Sequence, residues 1–139
     1  MIIGYTTGVY DLFHVGHVNL LRNSKALCDK LIVGVTVDEL VSYKNKKSVI
    51  PYVERIEVVR ACRYVDVAIP QTSIDKVEAA RKIGANILFV GDDWYADPKW
   101  NKMQEDLSSI GCQVKYFPYT QGTSSTLINE TLNRLRSDL

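Results

Sequence analysis

The chain is poor in the residues that build metal clusters, disulfide frameworks and membrane spans. It has three cysteines, Cys28, Cys62 and Cys112, odd in number, widely spaced and each set in an apolar or helical pattern. They are expected to be buried thiols in a reducing compartment, which excludes a disulfide scaffold. Histidine is scarcer: His14 and His17 are the two in the chain. No cysteine lies near them in sequence, so a zinc site there would have two neighbouring ligands of the four it needs, and no metal site is assigned to protein side chains. No run approaches the roughly 20 apolar residues of a membrane-spanning helix, and no charged-then-apolar leader opens the chain. A cytoplasmic protein with no membrane partner is expected. Net charge is +1, which excludes a global field drawing the chain to nucleic acid or an anionic bilayer. What is present is the mixture of an ordinary globular protein, 46% apolar and 24% charged. With 139 residues, it is long enough for a proper core in one domain spanning 1–139.

Short apolar runs alternate with amphipathic stretches. Strands are expected at 2–6, 31–37, 64–69, 87–90 and 113–117, the second an unbroken apolar run suited to burial on both faces. Helices are expected at about 16–27, 51–63, 75–83, 98–110 and 124–135. Pro51 fits a first helical turn, Pro70 is read as a strand stop, and Gly84 and Gly111 as helix ends. Residues 38–50 are read as a polar connection. Five strands alternating with helices imply an α/β fold: a Rossmann-like, doubly wound five-stranded parallel sheet with helices on both faces. Ligands of such sheets bind at the carboxyl ends of the strands, beside the switch in strand order. The polar clusters do follow strands.

The first cluster is Gly8-Val9-Tyr10-Asp11-Leu12-Phe13-His14-Val15-Gly16-His17, where a strand feeds a turn that opens into a helix. Such a turn aims free backbone N–H groups and the positive end of a helix dipole at one spot, and phosphates bind there. Gly16 lacks a Cβ, so a ligand can come close between the imidazoles. Each imidazole can donate a hydrogen bond to a phosphate oxygen as charge builds on it. A metal pair and a purely structural pair are the alternatives.

The second cluster is Thr120-Gln121-Gly122-Thr123-Ser124-Ser125-Thr126, rich in hydroxyls at the start of the last helix. Its modest alternative is a simple N-cap. Lys44, Lys46 and Lys47 form the third, either solvated surface or counter-charge for phosphates. Arg55 and Arg63 are candidates for phosphate or carboxylate contacts, with ion pairs to Glu54, Glu57 or Asp66 as the alternative. Asp92 and Asp93 either read a base or ribose or cap the segment after them. Trp94, Tyr95, Asp97 and Trp100 are read as loop packing, with a cage for a cationic head group as the alternative.

The stretch from Gly8 to His17 resembles the His-x-Gly-His signature of the nucleotidyltransferase superfamily that contains the cytidylyltransferases. Lys44-Asn45-Lys46-Lys47, Arg63-Tyr64-Val65-Asp66, Gly91-Asp92-Asp93-Trp94 and the Thr120–Thr126 loop narrow the likeness to the cytidylyltransferase branch. Nearly the whole chain resembles the small bacterial glycerol-3-phosphate cytidylyltransferases. The resemblance implies that a phosphomonoester oxygen, with glycerol 3-phosphate the first candidate, attacks the α-phosphorus of CTP and pyrophosphate leaves. That reaction needs alignment and charge stabilisation but no protein nucleophile.

By the same resemblance His14 and His17 contact the triphosphate and stabilise the transition state. Gly8, Val9, Tyr10, Asp11 and Gly16 surround the nucleotide phosphates, Val9 and Tyr10 through their backbone. Lys44 contacts the acceptor phosphate and Lys46 the triphosphate. Asp92, Asp93, Tyr119, Thr120, Gly122, Ser124, Ser125 and Thr126 complete the nucleotide site. Arg63 lies near both site and dimer contact, and Lys76 is a further acceptor-phosphate lysine. A magnesium ion comes with the nucleotide, held mostly by phosphate oxygens and water, and the protein is a homodimer. Where the family's last loop reads Arg-Thr-Glu-Gly-Ile-Ser-Thr-Thr, this chain has Tyr119 and Gln121 in place of the arginine and glutamate. The turn has Val9-Tyr10 where Thr-Phe is usual. A charge-assisted phosphate contact is worth about 1.5–3 kcal/mol, so the nucleotide preference stays open. Adenylyl transfer from ATP and a phosphocholine or phosphoethanolamine acceptor are the enzymatic alternatives. A nucleotide-binding regulatory module is the non-enzymatic one.

Overall fold

The computed structural model describes residues 1–43, 47–91, 98–118 and 125–137. The elements run β1 (Ile3–Gly8), α1 (Val15–Ala26), β2 (Lys30–Thr36), α2 (Asp38–Tyr43), α3 (Tyr52–Arg60), β3 (Val67–Gln71), α4 (Lys76–Ile83), β4 (Ile87–Gly91), α5 (Pro98–Ser109), β5 (Gln113–Phe117) and α6 (Ser125–Ser137). The strands form one parallel sheet in the order β3-β2-β1-β4-β5. That is the Rossmann-like, doubly wound arrangement, with its switch in strand order between β1 and β4.

Both faces of the sheet are covered, and successive strand residues divide between them. Leu31, Val33 and Val35 of β2 and Phe89 of β4 pack with Leu21 of α1 and with Ile56 and Val59 of α3. Ile32, Leu88 and Val90 face the other way, onto Ala80 of α4 and Trp100 and Leu107 of α5. Burial on both faces is why β2 reads as a continuous apolar run.

Four local expectations give way. The third strand begins at Val67 and runs through Pro70, which pairs in register with Val35. Proline is tolerated because β3 is an edge strand and needs no N–H on its open side. Pro51 is the N-cap of α3, one residue before the first turn. The connection after β2 contains the short helix α2, with Asp38 and Glu39 in its first turn. Of the thiols, all unpaired, Cys112 is buried whereas Cys28 and Cys62 are only partly so. Gly84, by contrast, ends α4 as expected, in the left-handed conformation at φ 73°.

The switch point is physically open. β1 stays in register with β2 from Ile3 to Gly8, but pairs with β4 only at Gly4–Ile87 and Tyr5–Leu88. Beyond those pairs the Thr6 hydroxyl, fully buried, donates to the Phe89 carbonyl at 3.0 Å. A side chain thus replaces the ladder where the two strands part, and the crevice begins above it.

Candidate active site

The turn that leaves β1 is bent by two residues with a left-handed backbone, Tyr10 at φ 55° and Leu12 at φ 52°. For residues with a Cβ this costs about 1–2 kcal/mol each, so the turn persists only because its surroundings hold it. The Tyr10 ring is buried and folds back over Gly8, where an added Cβ would lie 3.0 Å from its Cε2. Asp11 is buried, and its two carboxylate oxygens accept from the Val49 N–H at 2.7 Å and the Ile50 N–H at 3.0 Å. The Val9 carbonyl accepts from the Arg55 guanidinium at 2.7 Å.

The turn ends in a reciprocal cap on α1. His14 is the N-cap residue, and its Nδ1 accepts from the Gly16 N–H at 3.0 Å. The His14 N–H in turn donates to Nδ1 of His17 at 3.2 Å. The two rings stack with centroids 4.0 Å apart, and His17 also stacks on Phe13 at 5.2 Å. Because each Nδ1 is an acceptor, the hydrogen-bond network assigns both neutral rings the tautomer with the proton on Nε2. Each histidine therefore carries one N–H donor, on the far side of its ring from the backbone it caps.

Their protonation follows from the same packing. Burial, reinforced by the neighbouring His14 ring and partly opposed by Asp11, pushes His17 down to about 4. Burial also lowers His14. The pair is neutral at pH 7 and offers dipolar N–H donors to a ligand. Two stacked imidazolium rings at this distance would repel one another, so the stack opposes protonation of both.

Gly8, Val9, Tyr10, Asp11, His14, Gly16 and His17 thus come together in one turn at the switch point. Within it the Asp11 carboxylate and the Tyr10 ring hold the turn in shape. Arg63 follows α3, is exposed, and makes no ion pair among the described residues; Asp66 is instead taken by Lys25 at 2.7 Å. Lys76, the first residue of α4, has its ammonium 5.3 Å from the ring centroid of Trp100. Trp100 is itself a core residue whose indole N–H donates to the Tyr116 hydroxyl, which is why it is packing and not part of a head-group cage. Lys44, Lys46, Asp92, Asp93, Trp94, Tyr95, Asp97, Tyr119, Thr120, Gln121, Gly122 and Ser124 lie outside the described residues, as do the side chains of Ser125 and Thr126.

Arg55 overturns the expectation that it contacts a ligand. Its guanidinium is fully buried and donates to the carbonyls of Ile50 (2.8 Å), Val9 (2.7 Å) and Thr36 (2.8 Å) and to Asp38 Oδ1 (2.6 Å). The signal was present in the chain: Tyr52, Arg55, Ile56 and Val59 recur at helical spacing, which puts Arg55 on the inward face of α3. What spacing does not reveal is that four acceptors from three segments converge on it.

A family model described as cytidylyltransferase-like matches residues 5–131. The chain belongs to the cytidylyltransferase-like family. Over 128 residues it is 34% identical to a glycerol-3-phosphate cytidylyltransferase of Staphylococcus aureus, covering 91% of this chain and 92% of that one. It is also 34% identical to an FAD synthase of Pyrococcus abyssi, covering 92% of this chain and 88% of that one. Among solved structures, a lipopolysaccharide core biosynthesis protein from Thermoplasma volcanium superposes with a TM-score of 0.74 at 27% identity, covering 88% of this chain and 99% of that one. As a nucleotidyltransferase of the cytidylyltransferase-like family, the protein presents its histidine turn where such a sheet takes its ligand. Among the described residues no helix is long and apolar enough to cross a membrane.

Proposed function

We propose that this nucleotidyltransferase moves CMP from CTP to a small phosphomonoester, glycerol 3-phosphate first, forming a CDP-alcohol and releasing pyrophosphate. The observation that carries the reading is the pair of Nε2–H donors on neutral, mutually capped histidines at the start of α1. An acceptor phosphate oxygen bonds to the α-phosphorus while the bond from that phosphorus to the bridging oxygen of pyrophosphate breaks. Negative charge accumulates on the equatorial and leaving oxygens. Donors fixed beforehand stabilise that charge without reorganising, and the capping bonds on Nδ1 are what fix these two. Neutral donors also leave the histidines unable to trap product pyrophosphate as a tight ion pair.

By the resemblance, Lys44 and Lys46 supply the neutralising charge, and Ser124, Ser125 and Thr126 hold phosphates at the start of α6. Magnesium enters with the triphosphate. The Asp11 carboxylate accepts from two backbone N–H groups, so the ion would be held mostly by phosphate oxygens and water. Such an ion would neutralise phosphate charge. The protein works in the reducing cytoplasm as a homodimer, which light scattering of the purified chain tests directly.

The FAD synthase relatives favour a second reading, adenylyl transfer from ATP. Tyr119 and Gln121, where the cytidylyltransferase branch has arginine and glutamate, keep that choice open. The deciding experiment sets CTP, ATP, GTP and UTP against glycerol 3-phosphate, phosphocholine, phosphoethanolamine and flavin mononucleotide, with magnesium, and reads pyrophosphate. Release confined to CTP with glycerol 3-phosphate is the expected result. Release with ATP moves the protein to the second reading. No release in any well, with nucleotide still binding, would make it a regulatory module.

A further inference from the structure

The connection between β2 and α3 leaves the sheet at Thr36 and returns at Ser48, and both of its feet are fastened to the histidine turn. On the outgoing side, the Thr36 carbonyl and Asp38 accept from Arg55. On the returning side, Asp38 accepts from the Ser48 hydroxyl at 3.1 Å and the Tyr52 N–H at 3.1 Å, while the Ile50 carbonyl accepts from Arg55. The turn enters the same network twice, through the Val9 carbonyl on Arg55 and through Asp11 on the Val49 and Ile50 N–H groups. A fully buried arginine is rare and is retained only when its donors are filled. Here four donor bonds reach three backbone carbonyls and one carboxylate, an assignment no lysine could reproduce with a single ammonium.

We propose that Arg55 is a positioning residue: it sets the distance between the histidine turn and both feet of the β2–α3 connection, and so aims the two Nε2–H donors. The proposal rests on the transferase reading for its kinetic consequence only. The turn is bent against its own backbone preference at Tyr10 and Leu12, and Val9, whose carbonyl Arg55 holds, immediately precedes the first of these. Loss of the guanidinium lets the turn relax, and the histidines then move off the line of the transition state. A displacement of about 1 Å at a reacting centre costs on the order of a hundredfold in rate.

The test is a double-mutant cycle between Arg55→Lys and His14→Ala, measured well below the unfolding midpoint of each variant. Arg55→Lys is expected to lower kcat at least tenfold in the wild-type background and less than threefold in the His14→Ala background. If Arg55 merely stabilised the fold, the two factors would be equal; that outcome overturns the proposal, as does near-normal kcat in Arg55→Lys. Should Arg55→Lys fail to fold, Asp11→Asn, which loosens the returning foot, is expected to show the same background dependence, and equal factors would overturn the proposal there too. A second readout needs no turnover. The chain has two histidines, so their ring nitrogens are resolved by long-range proton–nitrogen NMR. Arg55→Lys, or Asp11→Asn in its place, is expected to shift the Nε2 resonances of both. Unchanged resonances would refute the positioning role even if the wild type proved not to be a transferase, whereas shifted resonances in a protein that releases no pyrophosphate would leave the strut standing and sink the transferase reading.

Discussion

Acidification from pH 7 to pH 5 should cost this protein stability through His17, before Asp38 or Asp66 contributes. In the folded chain burial and the adjacent His14 ring push His17 from 6.5 to about 4. The unfolded chain therefore binds a proton between those values that the folded chain refuses. Stability from this group is fully present above pH 6.5 and falls as pH drops toward 4. At pH 5 the unfolded histidine is almost fully protonated and the folded one is not, which amounts to about 2 kcal/mol from this side chain. Burial moves His14 in the same direction. Asp38 and Asp66 are held below the usual carboxylate value, 3.8, by hydrogen bonds from Tyr52 and Arg55 and from Lys25 and Leu31, although burial opposes this and is the largest single influence on Asp66. Their contribution is present above that value and lost only as pH falls below it, so the two windows separate. Urea unfolding at pH 7, 6 and 5 should show the wild type losing about 2 kcal/mol more than His17→Gln, which cannot titrate. NMR titration should place the His17 midpoint near 4. Parallel losses in both proteins, or a midpoint at 6 or above, would refute the neutral stacked pair and with it the argument that these histidines act as dipolar donors.

His14→Ala and His17→Ala should each lower turnover at least about a hundredfold, as loss of one oxyanion donor does, measured as pyrophosphate release. His14→Ala should also cost about 1 kcal/mol of stability as a lost helix cap, measured by urea unfolding, and full activity in either variant would remove that histidine from the mechanism. Tyr10→Phe should cost no more than about 1 kcal/mol, because the buried Tyr10 hydroxyl lies against the Thr6 side chain without the geometry of a good hydrogen bond; thermal unfolding measures this, and a larger loss would reveal a strong bond there. Gly8→Ala should cost about 1–3 kcal/mol, as overpacking does, and lower turnover as well, because the new methyl displaces the Tyr10 ring that braces the turn. A variant as stable and active as wild type would show that the ring does not brace it.

The neutral pair also clarifies why the turn tolerates its strain. Tyr10 and Leu12 are held left-handed by a packed ring, a buried carboxylate and a buried guanidinium. The free energy that bends the turn comes from the surrounding core, and the histidines receive a fixed geometry in return. Thr6 does a related service one residue pair below, closing the β1–β4 ladder with its hydroxyl so that the strands part without stranding the Phe89 carbonyl.

Some of this was legible along the chain because it depends on neighbours in sequence. The alternation of five short apolar runs with helical periods determined the parallel, doubly wound sheet. The strand–turn–helix order around His14 and His17 determined that they would stand at a helix start. Gly84 marked its helix end because left-handed backbone at a C-cap is a local requirement. What only the tertiary structure decided depends on partners far apart in sequence. Arg55 and Asp11 carry charges that suit a ligand equally well, and nothing within a few residues of either reveals that Val9, Thr36, Ile50 and Val49 will be brought to them. Pro70 reads as a strand stop until β3 is seen to lie at the sheet edge, where its missing N–H costs nothing. The protonation of the histidines is of the same kind, since burial and a 4.0 Å stack, not residue identity, favour the neutral rings at pH 7.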